Sequence, residues 1–392
     1  MEPIIIIGTG MAGYSLAREF RKLDQATPLT MISSDDGRSY PKPMLSNALA
    51  KRKTAEQIAM FDAQAMAKTL KAEILTHRTV IKIEPTTNAL ELDDCSQQKY
   101  SKLILALGAS PIVIPIDGDA AEEILSINDL IDYTVFRERL LDAKHVAIIG
   151  PGLIACEFAN DLIASSDVRV SIIGPNGLPM DTVLPEPVAK ELHQQLSDAG
   201  VEWYLNTTTK SINHNGKVYD LALSNGTVID PDLVVSAVGL RANIALASDA
   251  GLSVHRGILT DTFLKTSHND IYALGDCAEV AGHNLLFVAP LIAGAKALAK
   301  TLAGDATEVH YPAMPVAVKT PLYPLVITPP ATDAVGEWVF EQAQSGFGIK
   351  GLFYGEDKSL LGFVISGDFV KEKQLLAKQL PDLIPVTIQI AE

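Results

Sequence analysis

"VAIIGPGLIACEFA", Val146–Ala159, reads as a buried strand, a glycine-rich turn and the first turns of a helix. "IIIIGTGMAGYSLA", Ile4–Ala17, has the same form near the start of the chain. Both runs are short and continuously apolar up to their first glycine, as expected of a strand covered on both faces in a parallel sheet. Working outward from Ile4, "MAGYSLAREFRKL" has helical apolar spacing and a basic last turn, which the helix dipole favours. "ATPLTMISS" is the next strand, and "SKLILALGASP" is a further buried strand ending on a glycine turn. Outward from Val146, "LIACEFANDLIAS" and "EPVAKELHQQLSDAG" are helices, and "VRVSIIG" and "DLVVSAVG" are strands. One chain therefore carries two βαβ modules.

The glycines have separate tasks. In G-x-G-x-x-G the first makes the tight turn, the second lets the backbone approach a pyrophosphate, and the third lets helix and strand pack closely. Gly8, Gly10 and Gly13 fill all three places, and the N–H groups from Thr9 through Met11 to Ala12 point where phosphates would sit. Ser33, Ser34 and Asp35 follow at the next strand end, where an acid holds a ribose hydroxyl. The second copy has Gly150, Gly152 and Ala155 as its small third residue. Its strand ends in "SIIGPNG" with no acid, leaving Asn176 or a residue from elsewhere to meet the ribose. No Arg or Lys stands there for a 2′-phosphate, which favours NADH over NADPH. Two dinucleotide sites in series suggest a nicotinamide donor facing a flavin, the cofactor that takes two electrons and releases them singly.

The bulk composition agrees. A chain of 392 residues needs two or three domains, and 47% apolar with 20% charged residues is the profile of a globular protein. No apolar run approaches the roughly 18 residues of a membrane span, and the start lacks a secretory pattern, so a cytoplasmic enzyme is expected. Net charge −15 argues against nucleic acid and anionic membranes. Cys95, Cys156 and Cys277 form no C-x-x-C pair and the histidines form no ligand cluster, so neither a redox disulfide nor a metal is expected. "AKRK", Ala50–Lys53, reads as a solvated basic helix face.

"LILALGASP", which includes Ala106 and Gly108, and "IYALGDCAEV", which includes Asp276, complete a set. With the two fingerprints they resemble the two-dinucleotide flavoprotein reductases, over at least residues 1–310 and in the same order. The resemblance implies an α/β fold with two Rossmann-like domains, the NAD(H) domain inserted in the FAD domain, and a small α+β C-terminal domain. The corresponding spans are 1–112 with 243–318 for FAD, 113–242 for NAD(H), and 319–392 for the C-terminal unit. In that unit short strands precede a helix, "KEKQLLAKQL".

Disulfide reductases of this superfamily carry cysteines where this chain reads "GRSYPKPMLS", Gly37–Ser46. That segment resembles the K-P-x-L-S or R-P-x-L-S of ferredoxin and rubredoxin reductases, and the chain looks most like the NADH-dependent rubredoxin reductases, including those serving alkane hydroxylation. The resemblance puts Lys42 beside the flavin ring and Glu157 between nicotinamide and flavin, and implies a Lys42–Glu157 ion pair. It puts Asp276 near the FAD ribityl or pyrophosphate, and Val288 and Lys319 at the flavin's O2 edge. Val80 is placed at the adenine, and Gly239, in "SAVGLRAN", at the NAD side. The acceptor it implies is rubredoxin, and since rubredoxins are usually acidic, as this chain is, docking is expected to use local cations, with Lys51, Arg52 and Lys53 as first candidates. A ferredoxin as acceptor, or a non-catalytic redox-sensing flavoprotein, are the alternatives.

Overall fold

The computed structural model describes residues 1–385. The strands of its three main sheets and the longer helices, in chain order, begin with β1 (Ile4–Ile7), α1 (Met11–Leu23), β2 (Leu29–Ile32), β3 (Glu73–Leu75) and β4 (Lys102–Leu105). They continue with α2 (Leu130–Leu140), β5 (His145–Ile149), α3 (Leu153–Ser165), β6 (Arg169–Ile173), α4 (Glu186–Asp198), β7 (Val201–Tyr204), β8 (Leu233–Ser236), β9 (Ile271–Ala273) and α5 (Val288–Leu302). The last strands are β10 (Val316–Val318), β11 (Leu325–Thr328), β12 (Gly336–Gln342), β13 (Ile349–Gly355) and β14 (Leu360–Ser366).

Two parallel sheets dominate. The first has the order β9-β4-β1-β2-β3 and the second β7-β6-β5-β8. In both, the strand that ends at a fingerprint lies between a neighbour that follows at once and one that comes later. Such a switch point leaves a crevice at the strands' carboxyl ends, where ligands bind in open α/β sheets. All four residues of β1 and all five of β5 are buried, as the continuous apolar runs require. Helix α1 puts Tyr14, Leu16, Ala17 and Phe20 into the first core. Each large side chain so buried is worth roughly 1.5–3 kcal/mol.

The chain leaves the first sheet at Ala109–Pro111 and returns at Leu240–Ala242, and these two segments pair antiparallel. A third sheet, antiparallel β10-β11-β14-β13-β12, follows at the end. Its inner residues Val318, Leu325, Ile327 and Val364 share one core with α3 and the second sheet.

Two antiparallel ribbons complete the fold: Val80–Glu84 with Ala89–Leu92 and Gln97–Lys99, and Thr209–Asn215 with Val218–Leu223 and Val228–Ile229. The strand that holds Val80, in "THRTVIKI", is the one expected from the sequence; the others are not marked there. They are half exposed and rich in Lys, Asn, Thr and Gln, so they lack the apolar run that marks the buried strands. The expected final helix is shorter than its sequence pattern, a 3-10 segment Gly367–Glu372 followed by Lys373–Ala377. "AKRK" forms a turn rather than a helix face, because Arg52 adopts a left-handed φ of 52°. No helix among the described residues is long and apolar enough to cross a membrane.

Candidate functional site

The two fingerprint turns sit in the two crevices. Gly8 has φ of 113°, and a Cβ there would lie 2.2 Å from the Ala106 carbonyl oxygen. A Cβ on Gly13 would lie 2.0 Å from the Gly8 oxygen, so both positions exclude a side chain. Around Gly10, by contrast, nothing stands within 4 Å of where a Cβ would be. Space is thus held open where a phosphate would approach the backbone. Helix α1 begins there with no side-chain cap and no acid in its first turn, so the N–H groups of Met11, Ala12 and Gly13 have no intrahelical partner. At the end of β2 the Thr9 hydroxyl donates to Ser33 Oγ (2.6 Å) and the Ser33 hydroxyl to Asp35 Oδ1 (2.5 Å). The Gly37 N–H also donates to Asp35 Oδ1 (2.9 Å), while Ser34 is exposed. The Arg78 N–H donates to the Ser33 carbonyl (3.0 Å), which brings the strand opening at Val80 alongside.

The second turn repeats the backbone design. Gly150 has φ of 104° and a virtual Cβ 2.7 Å from the Ala237 oxygen, and Gly152 faces open space. Helix α3 is also uncapped and without a first-turn acid. Ala155 is fully buried and fills the place of the third glycine. The amide of Asn176 donates to Asp181. Gly239, with φ of 113°, accepts the Ile112 N–H (3.0 Å) and so ties the second crevice to the hinge strands. There a cleft of about 280 Å³ is lined by Ser110–Val113 and Arg241–Asn243.

Between the crevices lies a cluster of charge drawn from all three sheets. Glu157 is 1% exposed and holds three donors. Its carboxylate accepts from Lys319 Nζ (2.5 Å), from the Lys319 N–H (2.9 Å) and from the Ser46 hydroxyl (2.6 Å). Lys319 Nζ also donates to Ser46 Oγ (2.8 Å). The expected Lys42–Glu157 ion pair is therefore corrected: the partner of Glu157 is Lys319. The reason is local. Lys42 opens the 3-10 segment Lys42–Asn47, and it is Ser46, about one turn on, that meets α3. Lys42 lies instead in the field of the Asp276, Asp129 and Asp132 carboxylates. Burial pushes the Lys42 ammonium below its usual pKa, with those carboxylates opposing. Burial likewise raises the Asp276 carboxyl, with Lys42 opposing.

Asp276 follows Gly275, where a Cβ would lie 2.7 Å from the Ala12 Cβ, so this strand end is wedged against α1. Gly108, with φ of 69°, accepts the Asn243 N–H (3.0 Å). Val288 is the first residue of α5, which again has neither a side-chain cap nor a first-turn acid. Three helices, α1, α3 and α5, thus begin with free N–H groups. The start of α2 differs: there Asp129 accepts both the Ile131 and Asp132 N–H groups. Burial pushes the thiols of Cys156 and Cys277 up to about 12, which removes them as nucleophiles at neutral pH.

Sequence reasoning missed Ser46, Asp129 and Asp132 as members of this cluster. Ser46 was within the quoted "KPMLS" but carried no signal of its own. Asp129 and Asp132 belong to a segment without a motif, and only the packing of α2 brings them to Lys42.

The open backbone at Gly10 and Gly152 and the naked helix ends fit two dinucleotides, one at each turn. Together they define a two-dinucleotide oxidoreductase. The chain belongs to the pyridine nucleotide-disulphide oxidoreductase family, whose profile matches residues 2–300. The rubredoxin binding C-terminal domain matches residues 308–380. The chain is 46% identical over 387 residues to the rubredoxin-NAD(+) reductase of Alcanivorax borkumensis, covering 98% of this chain and all of that one. It is 45% identical over 396 residues to the enzyme of the same name from Acinetobacter baylyi, covering 99% and 100%. The crystal structure of a ferredoxin reductase from Rhodopseudomonas palustris superposes with a TM-score of 0.87 at 25% identity, over 97% of this chain and 96% of that one.

Proposed function

We propose that this protein is an FAD-dependent rubredoxin-NAD(+) reductase of the cytoplasm, where NADH is available, with rubredoxin feeding an oxygenase such as an alkane hydroxylase. Bound FAD would supply an acceptor able to take two electrons as hydride and release them singly. The residues that hold FAD are Gly8–Gly13, Ser33–Asp35, Lys42, Val80, Ala106, Gly108, Glu157, Asp276, Val288 and Lys319. Those that hold NADH are Gly150, Gly152, Ala155 and Gly239. This reading divides the chain at 1–112 with 243–318, 113–242 and 319–392.

The chain's own part in the chemistry is electrostatic and positional. Lys42 and Lys319 put two cations at the junction, fixed before any negative charge develops there, and preorganised charge is worth more than charge that must be recruited. Glu157 fixes Lys319 through two of its three bonds and keeps the third sheet seated on α3. No general base is needed, since hydride transfer asks only for close and aligned rings.

The observation that carries the reading is a joint: the helix that follows the second open fingerprint turn bonds, through Glu157, to a C-terminal unit of the rubredoxin-binding type. The test is NADH-driven reduction of purified rubredoxin beside purified ferredoxin. Faster turnover of rubredoxin is expected. Preference for ferredoxin transfers the reading to that carrier. A protein whose flavin is not bleached by NADH is a sensor rather than an enzyme.

A further inference from the structure

The turn between the 3-10 segment and the next short helix presents Lys51, Arg52 and Lys53, three consecutive cations in a chain of net charge −15. Adjacent cations repel, and such a loop would ordinarily splay. Here its backbone is held at both ends by the second module. Asp161, on α3, is only 2% exposed. Its Oδ2 accepts the Leu49 N–H (2.9 Å) and its Oδ1 the Ala50 N–H (2.9 Å). At the far end the Lys53 carbonyl accepts from Arg137 Nη1 (2.5 Å) and from the Tyr133 hydroxyl (3.3 Å), both on α2. Within the turn the Lys53 N–H donates to Ala48 O (2.9 Å) and the Arg52 N–H to Leu49 O (2.7 Å). Arg52 is kept at its left-handed φ of 52° by this closure.

A carboxylate is the right group for this task. It offers one acceptor oxygen to each of two parallel N–H groups, and burying it is tolerable only because both are paired. An Asn in its place would accept one N–H and point its own NH₂ at the other. Asp161 also lies one helical turn beyond Glu157, so a single face of α3 holds Lys319, Ser46 and the base of the cationic turn.

We infer that Asp161 is a positioning residue that fixes Lys51, Arg52 and Lys53 as the docking surface for an acidic one-electron iron–sulfur protein. The inference rests on the reading above, that the acceptor is such a carrier. Two acidic proteins repel at long range, so a fixed local cation cluster is what orients their approach, and its loss acts mainly on the association rate and its salt dependence.

The experiment uses the full-length holoenzyme with two acceptors, purified rubredoxin and a small neutral quinone that needs no docking patch. Asp161→Asn should lower kcat/KM for rubredoxin about tenfold at low salt and flatten its salt dependence. Turnover with the quinone should stay within about twofold of the parent, a change too small to signal loss of fold. Combined with Lys51→Gln, Arg52→Gln and Lys53→Gln, it should add little to what those three cost, because contributions through one shared surface are not additive. Should Asp161→Asn fail to fold, Arg137→Gln, which frees the other end of the turn, should give the same pattern. The inference is overturned if the variant matches the parent on rubredoxin, if quinone turnover falls in parallel, or if its effect adds in full to the triple change. A parent that turns over the quinone but no rubredoxin defeats the earlier reading, and this one falls with it.

Discussion

The two fingerprint turns share a backbone plan and differ in what surrounds it. In the first, the Gly8 N–H donates to Ile32 O (2.8 Å) and the Ala106 N–H to Ile7 O (2.9 Å). In the second, the Gly150 N–H donates to Ile173 O (2.7 Å) and the Ala237 N–H to Ile149 O (2.8 Å). The register is the same, and so is the reason a side chain fails at the leading glycine. Beyond it they part. The first turn is backed by the Thr9–Ser33–Asp35 network, wedged by Gly275 against Ala12, and faced by Lys42 and Asp276. The second ends on Gly174, whose virtual Cβ lies 2.3 Å from the Pro151 ring, with Asn176 and Asp181 bonded to each other. A closed polar cradle suits a cofactor that stays, and an open turn suits one that comes and goes each cycle. The difference is in the walls, not in the turn.

The sharpest way to break this comparison is to damage each turn separately. Gly8→Ala places a methyl group 2.2 Å from a backbone oxygen at a φ that disfavours any side chain. It should cost more than about 4 kcal/mol and yield colourless protein, read by flavin absorbance and thermal melting. At Gly152 an added Cβ meets no protein atom within 4 Å, so Gly152→Val directs its methyl groups from an open position. It should leave flavin content and melting unchanged while lowering kcat/KM for NADH about 100-fold, since only the visitor's approach is obstructed. If Gly152→Val loses flavin as well, the two sites are not independent and the contrast fails.

A smaller effect sharpens the contrast between the two sheets. At the amino end of the first, Ile4 pairs with Leu29, both apolar. At the equivalent place in the second, His145 pairs with Arg169. His145 is 4% exposed. Its Nε2–H donates to Ser171 Oγ (2.8 Å), and its Nδ1 accepts from Arg169 (2.6 Å). Burial, and then the Arg169 charge, hold its pKa below the ordinary value. The unfolded chain therefore binds this proton more readily than the folded one. The stabilisation is complete above about pH 6.5 and is lost as pH falls below it, by at most about 1.4 kcal/mol per pH unit. His145→Gln should flatten the acid side of the melting temperature against pH, measured from pH 7 to pH 5.

The site was legible in proportion to how local its residues are. Gly8, Gly10, Gly13, Gly150 and Gly152 declare themselves because a turn with a positive φ or a close backbone approach admits little else. Helices α1, α3 and α4 were readable to their ends, since apolar spacing and turn residues agree there. The partner of Glu157 was not. Lys42 and Lys319 are both lysines brought to one junction from distant parts of the chain, and nothing in the spacing says which of them α3 will meet.

The sequence by itself determined two parallel-sheet modules with open phosphate turns and no pair of cysteines to carry electrons onward. Those features depend on neighbours within a few residues, through sterics and hydrogen bonding. Only the tertiary structure decided that Glu157 takes Lys319, that Lys42 lies in the field of Asp276, Asp129 and Asp132, and that Asp161 holds a cationic turn 112 residues earlier in the chain. Those pairings depend on how three sheets pack around one helix, and a buried charge takes whichever partner that packing delivers.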